Sequence, residues 1–406
     1  MPHQSSELSR RNFITSLLAS GVALRLNARA GAAVDDLSAI EKTMHDFVVQ
    51  RMIDPDGLCR SMLRMTTMAP WTNADLARTD QQRISDKFRM RITDMFQNST
   101  DQAGCLTYEN ALMATGEFAQ SQIIRYRVTK EDAAREQAHR AIRGILAVID
   151  EGRHYMPGWL PKPFGGVRNA RNSHELSVDQ YTKAVVALHE WRPLADKAER
   201  AVIDRFFIDA ADFFIARKWR HAYRHRTIVT ADTHHHALGL FVPLAVLAAK
   251  ASGDDRYLAH LTSFDAAMNN ALADPKLTAG LNGISLIAEG YYVAMQAGAR
   301  DPRLPRMIEW LWQLGAKCID DHGQGFVPGK VPVPDSQGTR LAAIATIVDA
   351  QRPATRAAAL ARKILAANRD LSKMWHAFDG LNECLAEISI TSWLVAYWRL
   401  REAERR

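Results

Sequence analysis

The chain has 406 residues, a formal net charge of +7 and 47% hydrophobic residues. That length exceeds one average domain but fits a single closed helical or barrel domain with a substantial core. The charges are dispersed rather than blocked, which excludes a typical nucleic-acid binder and mildly favours acidic ligands.

The N-terminus reads as an address. Ser9-Arg10-Arg11-Asn12-Phe13-Ile14 resembles the twin-arginine export signature. A mildly apolar stretch from Phe13 to Leu26 comes next, and Ala28-Arg29-Ala30 offers small residues for a peptidase. We therefore set residues 1–30 apart from a single domain at 31–406. The expected partner during export is the twin-arginine translocase, and the destination periplasmic or secreted. Removing four Arg and one Glu leaves the mature chain nearer +4. No later apolar run approaches the ~20 residues of a membrane span, so stable membrane insertion is not expected.

Helical periodicity dominates the chain beyond residue 30. A first helix is expected at 35–52, with Leu37, Ile40, Met44, Phe47 and Val48 on one stripe. An irregular stretch reaches about Cys105, with room for a helix at 81–96. Five hairpins come next. Their first helices are expected at 108–126, 179–190, 232–251, 284–297 and 339–350. The paired second helices fall at 131–150, 194–218, 254–272, 302–321 and 353–367. A last helix at 383–402 lacks a successor, and the helix at 35–52 can complete its pair. Pro302 and Pro353 suit first turns, where the missing N–H costs nothing. Pro243 should kink the third first helix or shift its start.

The two helix types differ. First helices are apolar nearly all round, as in Ala184-Val185-Val186-Ala187-Leu188, and such helices are buried. Second helices carry a charged face, as in Lys197, Glu199, Arg200 and Asp204. Long aromatic-studded loops always precede the first helix, and tight turns always come after it. An inner ring wrapped by an outer ring, with every long loop on one face, satisfies all of this. The pattern resembles the all-α (α/α)6 toroid, the six-hairpin glycosidase-like superfamily. That resemblance implies an enzyme on an oligosaccharide or polysaccharide, working where the inner helices receive the long loops. Glycoside hydrolases, polysaccharide lyases and sugar epimerases share the architecture.

In such a ring the inner-helix starts converge on one cleft, each with the positive end of its dipole. The Asp, Ser and Asn found there are also what helix N-caps require. Asp179 is the leading catalytic candidate, because Ser177 is free to cap. Ser-x-Asp-Gln-Tyr is similar to a helix start of this superfamily in which the acid and its neighbours Gln180 and Tyr181 face the sugar. Glu109, beside Tyr108 and Asn110, is the preferred partner, with Glu383 next in order. Two carboxyls across a cleft are what glycoside hydrolysis needs: one protonates the leaving oxygen, and the other activates water or attacks. Glu289, a lone acid in an apolar helix, needs a partner or a raised pKa.

A rival reading rests on His, Tyr and Arg at 219–236, with His234 as acid or base and His235 as a binding residue. Lyases of this architecture use Tyr or His for the proton and Arg or His to neutralise a uronate. Arg340 is a further binding candidate. Trp159 and Trp375 suit stacking on a pyranose or a terpenoid, or else pin down long loops. His221 and His225 have the i, i+4 spacing of metal pairs on an outer-helix end, while consecutive histidines cannot share one ion. No cofactor and no metal are expected. Cys59, Cys105, Cys318 and Cys384 show no Cys-x-x-Cys spacing, and Cys105 with Cys384 could pair on one face or remain buried thiols. A non-catalytic toroid binding a glycan or lipid is the alternative from another class.

Overall fold

In a computed structural model, the structure describes residues 26–64, 66–79, 83–85, 90–91, 100–173, 175–223, 226–229, 235–273, 280–326, 334–335, 338–371, 374 and 384–405. No helix among them is long and apolar enough to cross a membrane.

Six helices form the inner ring: α4 (Ala111–Thr129), α6 (Val178–Trp191), α8 (His235–Ser252), α11 (Leu281–Ala297), α13 (Gly338–Gln351) and α15 (Glu387–Ala403). Each packs on the next, and α15 packs on α4 to close the circle. The outer layer is α5 (Asp132–Arg153), α7 (Lys197–Ala216), α9 (Arg256–Ala259) with α10 (Asp265–Ala273), α12 (Arg303–Ala316) and α14 (Ala357–Ala367). The sixth outer place belongs to α1 (Leu26–Phe47), which runs into a π-helical turn at Val48–Met52 and packs on α15. The Trp398 indole donates to Glu41 at 2.9 Å across this seam. The fold is thus an α/α toroid of six hairpins, with the two chain ends forming the sixth.

Composition explains the layers. Fifteen of the nineteen residues of α4 are buried, whereas α5 and α12 bury only one stripe. Lys130 and Gly298, both in the left-handed region, end α4 and α11 and start the tight turns.

Gly239, Pro243 and Gly290 meet at a close contact of the inner ring. Pro243 lies inside α8 without breaking it. It has no N–H for the Gly239 carbonyl one turn earlier. That carbonyl faces Gly290 of α11, where an added Cβ would stand 1.7 Å from it. The helix runs on past Pro243 as one element.

Several elements depart from expectation. The helix expected at 81–96 is replaced, where described, by paired strands β3 (Arg83–Ser85) and β4 (Met90–Arg91). The second outer helix, expected at 194–218, ends at Ala216. Lys218 and Trp219 turn at positive φ, and β5 (Arg220–Tyr223) pairs with β6 (Arg226–Val229). His221 therefore sits on a strand, not on a helix end, and His225 lies outside the described residues. A further short pair, β7 (Gly325–Phe326) with β8 (Pro334–Asp335), precedes α13. The third outer helix is split by a 3-10 segment at His260–Phe264. Among the described residues, α2 (Asn73–Thr79) and α3 (Gln102–Thr107) lie before α4, which begins at Ala111 rather than at Tyr108.

Candidate active site

Where described, the connections before α4 and α15 meet. Strand β1 (Met62–Arg64), in the connection before α4, pairs with β2 (Ala69–Pro70) on one side. On the other it pairs with β9 (Cys384–Ala386), which leads into α15. Cys384 is thereby opposite Arg64, while Cys105 is buried in α3.

Gln180 joins two neighbouring helix starts. Its amide donates to the Glu109 carbonyl at 2.6 Å and accepts the Leu112 N–H at 3.3 Å. The side chain thus ties the start of α6 to the backbone at and just before the start of α4. Asp179, next to it, is half-buried. Its Oδ1 accepts the Ser177 hydroxyl and the Gln180 N–H, the latter at 2.8 Å. Ser177 stands at the N-cap but bonds Asp179 instead of the backbone. The separate capping role expected of it is thus corrected.

Glu109 is buried and lies 2.5 Å from the Lys162 ammonium. Lys162 also lies 3.5 Å from Glu175 and sits above the Phe164 ring. Lys162 thus links two carboxylates, the buried Glu109 and the partly exposed Glu175. Lys162 escaped sequence reasoning because it is set in a Pro-Lys-Pro loop step that reads as a turn. Tyr108 donates to Asp54 at 2.9 Å. Burial, reinforced by Asp54, holds its hydroxyl well above the ordinary tyrosine range.

Other candidates lie elsewhere. Tyr181 points outward, donating to the Gly158 carbonyl at 2.7 Å and stacking on Phe206 of α7. It is a pillar between the rings, not a sugar contact. Trp159 packs between Tyr155 and Phe213 on the outer-helix side, fixing its loop. His235 opens α8, and its side chain falls outside the described part of the molecule. His234, Trp375 and Glu383 lie outside the described residues.

Arg340 and Glu289 belong to a ladder of charges that descends the ring interior. Arg340 Nη2 is 3.4 Å from Glu117, and Glu117 is 3.0 Å from Lys183. Lys183 bonds Glu289, and Glu289 lies 2.9 Å from Arg399. Arg399 reaches Glu190 at 3.4 Å, and Glu190 lies 3.2 Å from Arg127. Burial alone would raise the Glu289 pKa, but Lys183 and Arg399 outweigh it and hold the carboxyl below the usual range. The partner expected for Glu289 is present, and it is a core ion pair. Arg340 is completely buried, with Nε and Nη1 lacking any partner. Two orphaned donors at the top of the ladder mark a place for water or a ligand group. Among the described residues, no group of three or more His, Cys, Asp or Glu side chains could hold a metal ion.

No family model matches the sequence, and no curated protein is similar to it. Solved structures share the fold. An unsaturated glucuronyl hydrolase specific for heparin superposes with a TM-score of 0.55 at 10% identity, covering 92% of this chain and 98% of its own. A cellobiose 2-epimerase from Bacillus thermoamylovorans gives 0.54 at 11% identity, covering 93% and 100%. An α-1,6-mannanase from a Salegentibacter species gives 0.52 at 9%, covering 91% and 100%.

Proposed function

We propose that the chain is a carbohydrate-active enzyme, a glycoside hydrolase working at the long-loop face. The observation that carries this reading is the Gln180 clamp. It ties the start of α6, which carries the half-buried Asp179, to the backbone of the buried Glu109, which lies 71 residues before Gln180 in sequence. Asp179 handles the proton at the glycosidic oxygen, since it is the member of the pair that solvent and substrate reach. Glu109, neutralised by Lys162, serves as the carboxylate that orients water or offsets positive charge at the anomeric carbon. The three similar folds belong to proteins named for work on sugars, which supports an oligosaccharide or polysaccharide substrate. The elimination reading rests on the His, Tyr and Arg residues at 219–236, of which His225 and His234 lie outside the described residues.

The test is a panel of neutral and uronate oligosaccharides, read both for new reducing ends and for ultraviolet absorbance of an unsaturated product. Asp179→Asn should lower turnover by about a hundredfold or more with the fold intact. Unchanged turnover in that variant would overturn the assignment.

We further propose export by the twin-arginine route, on Arg10-Arg11 and the apolar stretch behind them. Replacing both arginines with lysine should leave the protein in the cytoplasm. Unchanged arrival outside the inner membrane would refute this.

A further inference from the structure

The tight turns bring the C-terminal ends of the inner helices to the face opposite Asp179. There they enclose a cavity of about 650 Å3, within the range of small-molecule sites. All six inner helices contribute to its wall, through Arg127, Glu190, Lys250, Gln296, Asp349 and Glu402.

Most of the wall's charge is already cancelled. Arg127 lies 3.2 Å from Glu190 and 2.8 Å from Glu402. Arg399 is held by Glu289 and Glu190. Asp349 accepts the N–H groups of Ala357 and Ala358 at 2.7 and 2.8 Å. Lys250 differs. It is exposed in the last turn of α8, and its ammonium makes no hydrogen bond or ion pair among the described residues. Beside it is His189, whose Nδ1 is buried without a partner, while Gln296 hydrogen-bonds the ring. Burial holds this imidazole below its ordinary pKa, so it is neutral at pH 7. A smaller hollow of about 80 Å3 also shares His189 and Lys250.

We propose that this cavity is a second binding site, for a polyol of monosaccharide size bearing one acidic group, a carboxylate or phosphate. The acidic group meets Lys250 at the rim, and a hydroxyl meets His189 Nδ1. Six helix C-termini face the cavity, and their carbonyl ends disfavour a bare multivalent anion inside it. A single acidic group kept at the rim, with hydroxyls donating inward, satisfies both the free ammonium and those carbonyls. The site lies at the far end of the ring from Asp179, so occupancy does not depend on the hydrolase reading.

Calorimetric titration of the full chain tests it, using glucuronate, glucose 6-phosphate, glucose and inorganic phosphate. We expect one or both acidic sugars to bind, distinguishing carboxylate from phosphate, with glucose weaker by about tenfold or more. Lys250→Ala, a change at an exposed position, should weaken binding by about tenfold. Ala350→Trp should block it by filling the cavity, and Asp179→Asn should leave it unchanged. The proposal is overturned if neither acidic sugar binds, or if binding survives both Lys250→Ala and Ala350→Trp. Loss of binding in Asp179→Asn, or equal affinity for inorganic phosphate alone, overturns it as well.

Discussion

Lys183 shows how a single side chain organises the interior. It is almost fully buried, between Glu117 at 3.0 Å and Glu289, and each carboxylate has a second cationic neighbour. Removing one member of such a set leaves an uncompensated buried charge, which costs about 3–5 kcal/mol. Glu289→Gln should therefore destabilise the protein by about 3 kcal/mol at pH 7, read as denaturant midpoint. The pH dependence has a definite sign. The Glu289 carboxyl is held below its ordinary value of 4.5 in the folded protein. Its contribution is therefore fully present above that value and is lost as pH falls through the depressed one. The gap between wild type and Glu289→Gln should narrow as pH drops below 4.5; a gap constant down to about pH 3 would contradict the ion-pair account. His189 behaves in the same direction for another reason. Its folded pKa lies below the ordinary 6.5, so the unfolded chain takes up protons first and stability falls as pH drops below that value. His189→Gln should flatten this part of the profile.

The site was legible at this scale only in part. Asp179 and Glu109 announced themselves by position at helix starts. Gln180 and Tyr181 share the motif but hold helices together, because a side chain's direction depends on the local cap geometry and not on its place in a motif. Glu289 was visible as a lone acid in an apolar helix, but its partners Lys183 and Arg399 were not. Spacing within one helix cannot say that a charge on a helix two places away will meet it.

Among the elements, the contact of α8 with α11 is the most demanding. A Cβ on Gly290 would overlap the Gly239 carbonyl, and one on Gly239 would come within 2.7 Å of the Ile287 Cα. Both obstacles are backbone and cannot swing aside. Gly290→Ala should cost about 2–3 kcal/mol or prevent folding, whereas Gly253→Ala is limited to turn strain, since nothing lies within 4 Å of its added methyl. Equal stability of Gly290→Ala and wild type would show that the helices separate freely. Helix number and pairing were readable from periodicity, turn residues and the contrast between apolar and amphipathic helices. The strands were not, because pieces such as β3 and β9 span three residues, too few to show an alternating pattern. Their existence rests on pairing with distant segments.

For the whole molecule, the ring is completed by its two ends. Deleting residues 1–52 should strip the cover from α15, exposing Trp398 and breaking its bond to Glu41. The expected result is a less cooperative, lower-temperature melt, seen by calorimetry; an unchanged transition would mean that α1 is an appendage.

The seam between α1 and α15 also imposes a timetable. Glu41 and Trp398 are 357 residues apart, and chains emerge from the ribosome at about 5–20 residues per second. Helix α1 therefore waits roughly twenty to seventy seconds for α15, with its apolar stripe uncovered by that partner throughout. Closure of the ring cannot begin until synthesis is nearly finished. During that interval α1 is the segment with most need of a protecting companion.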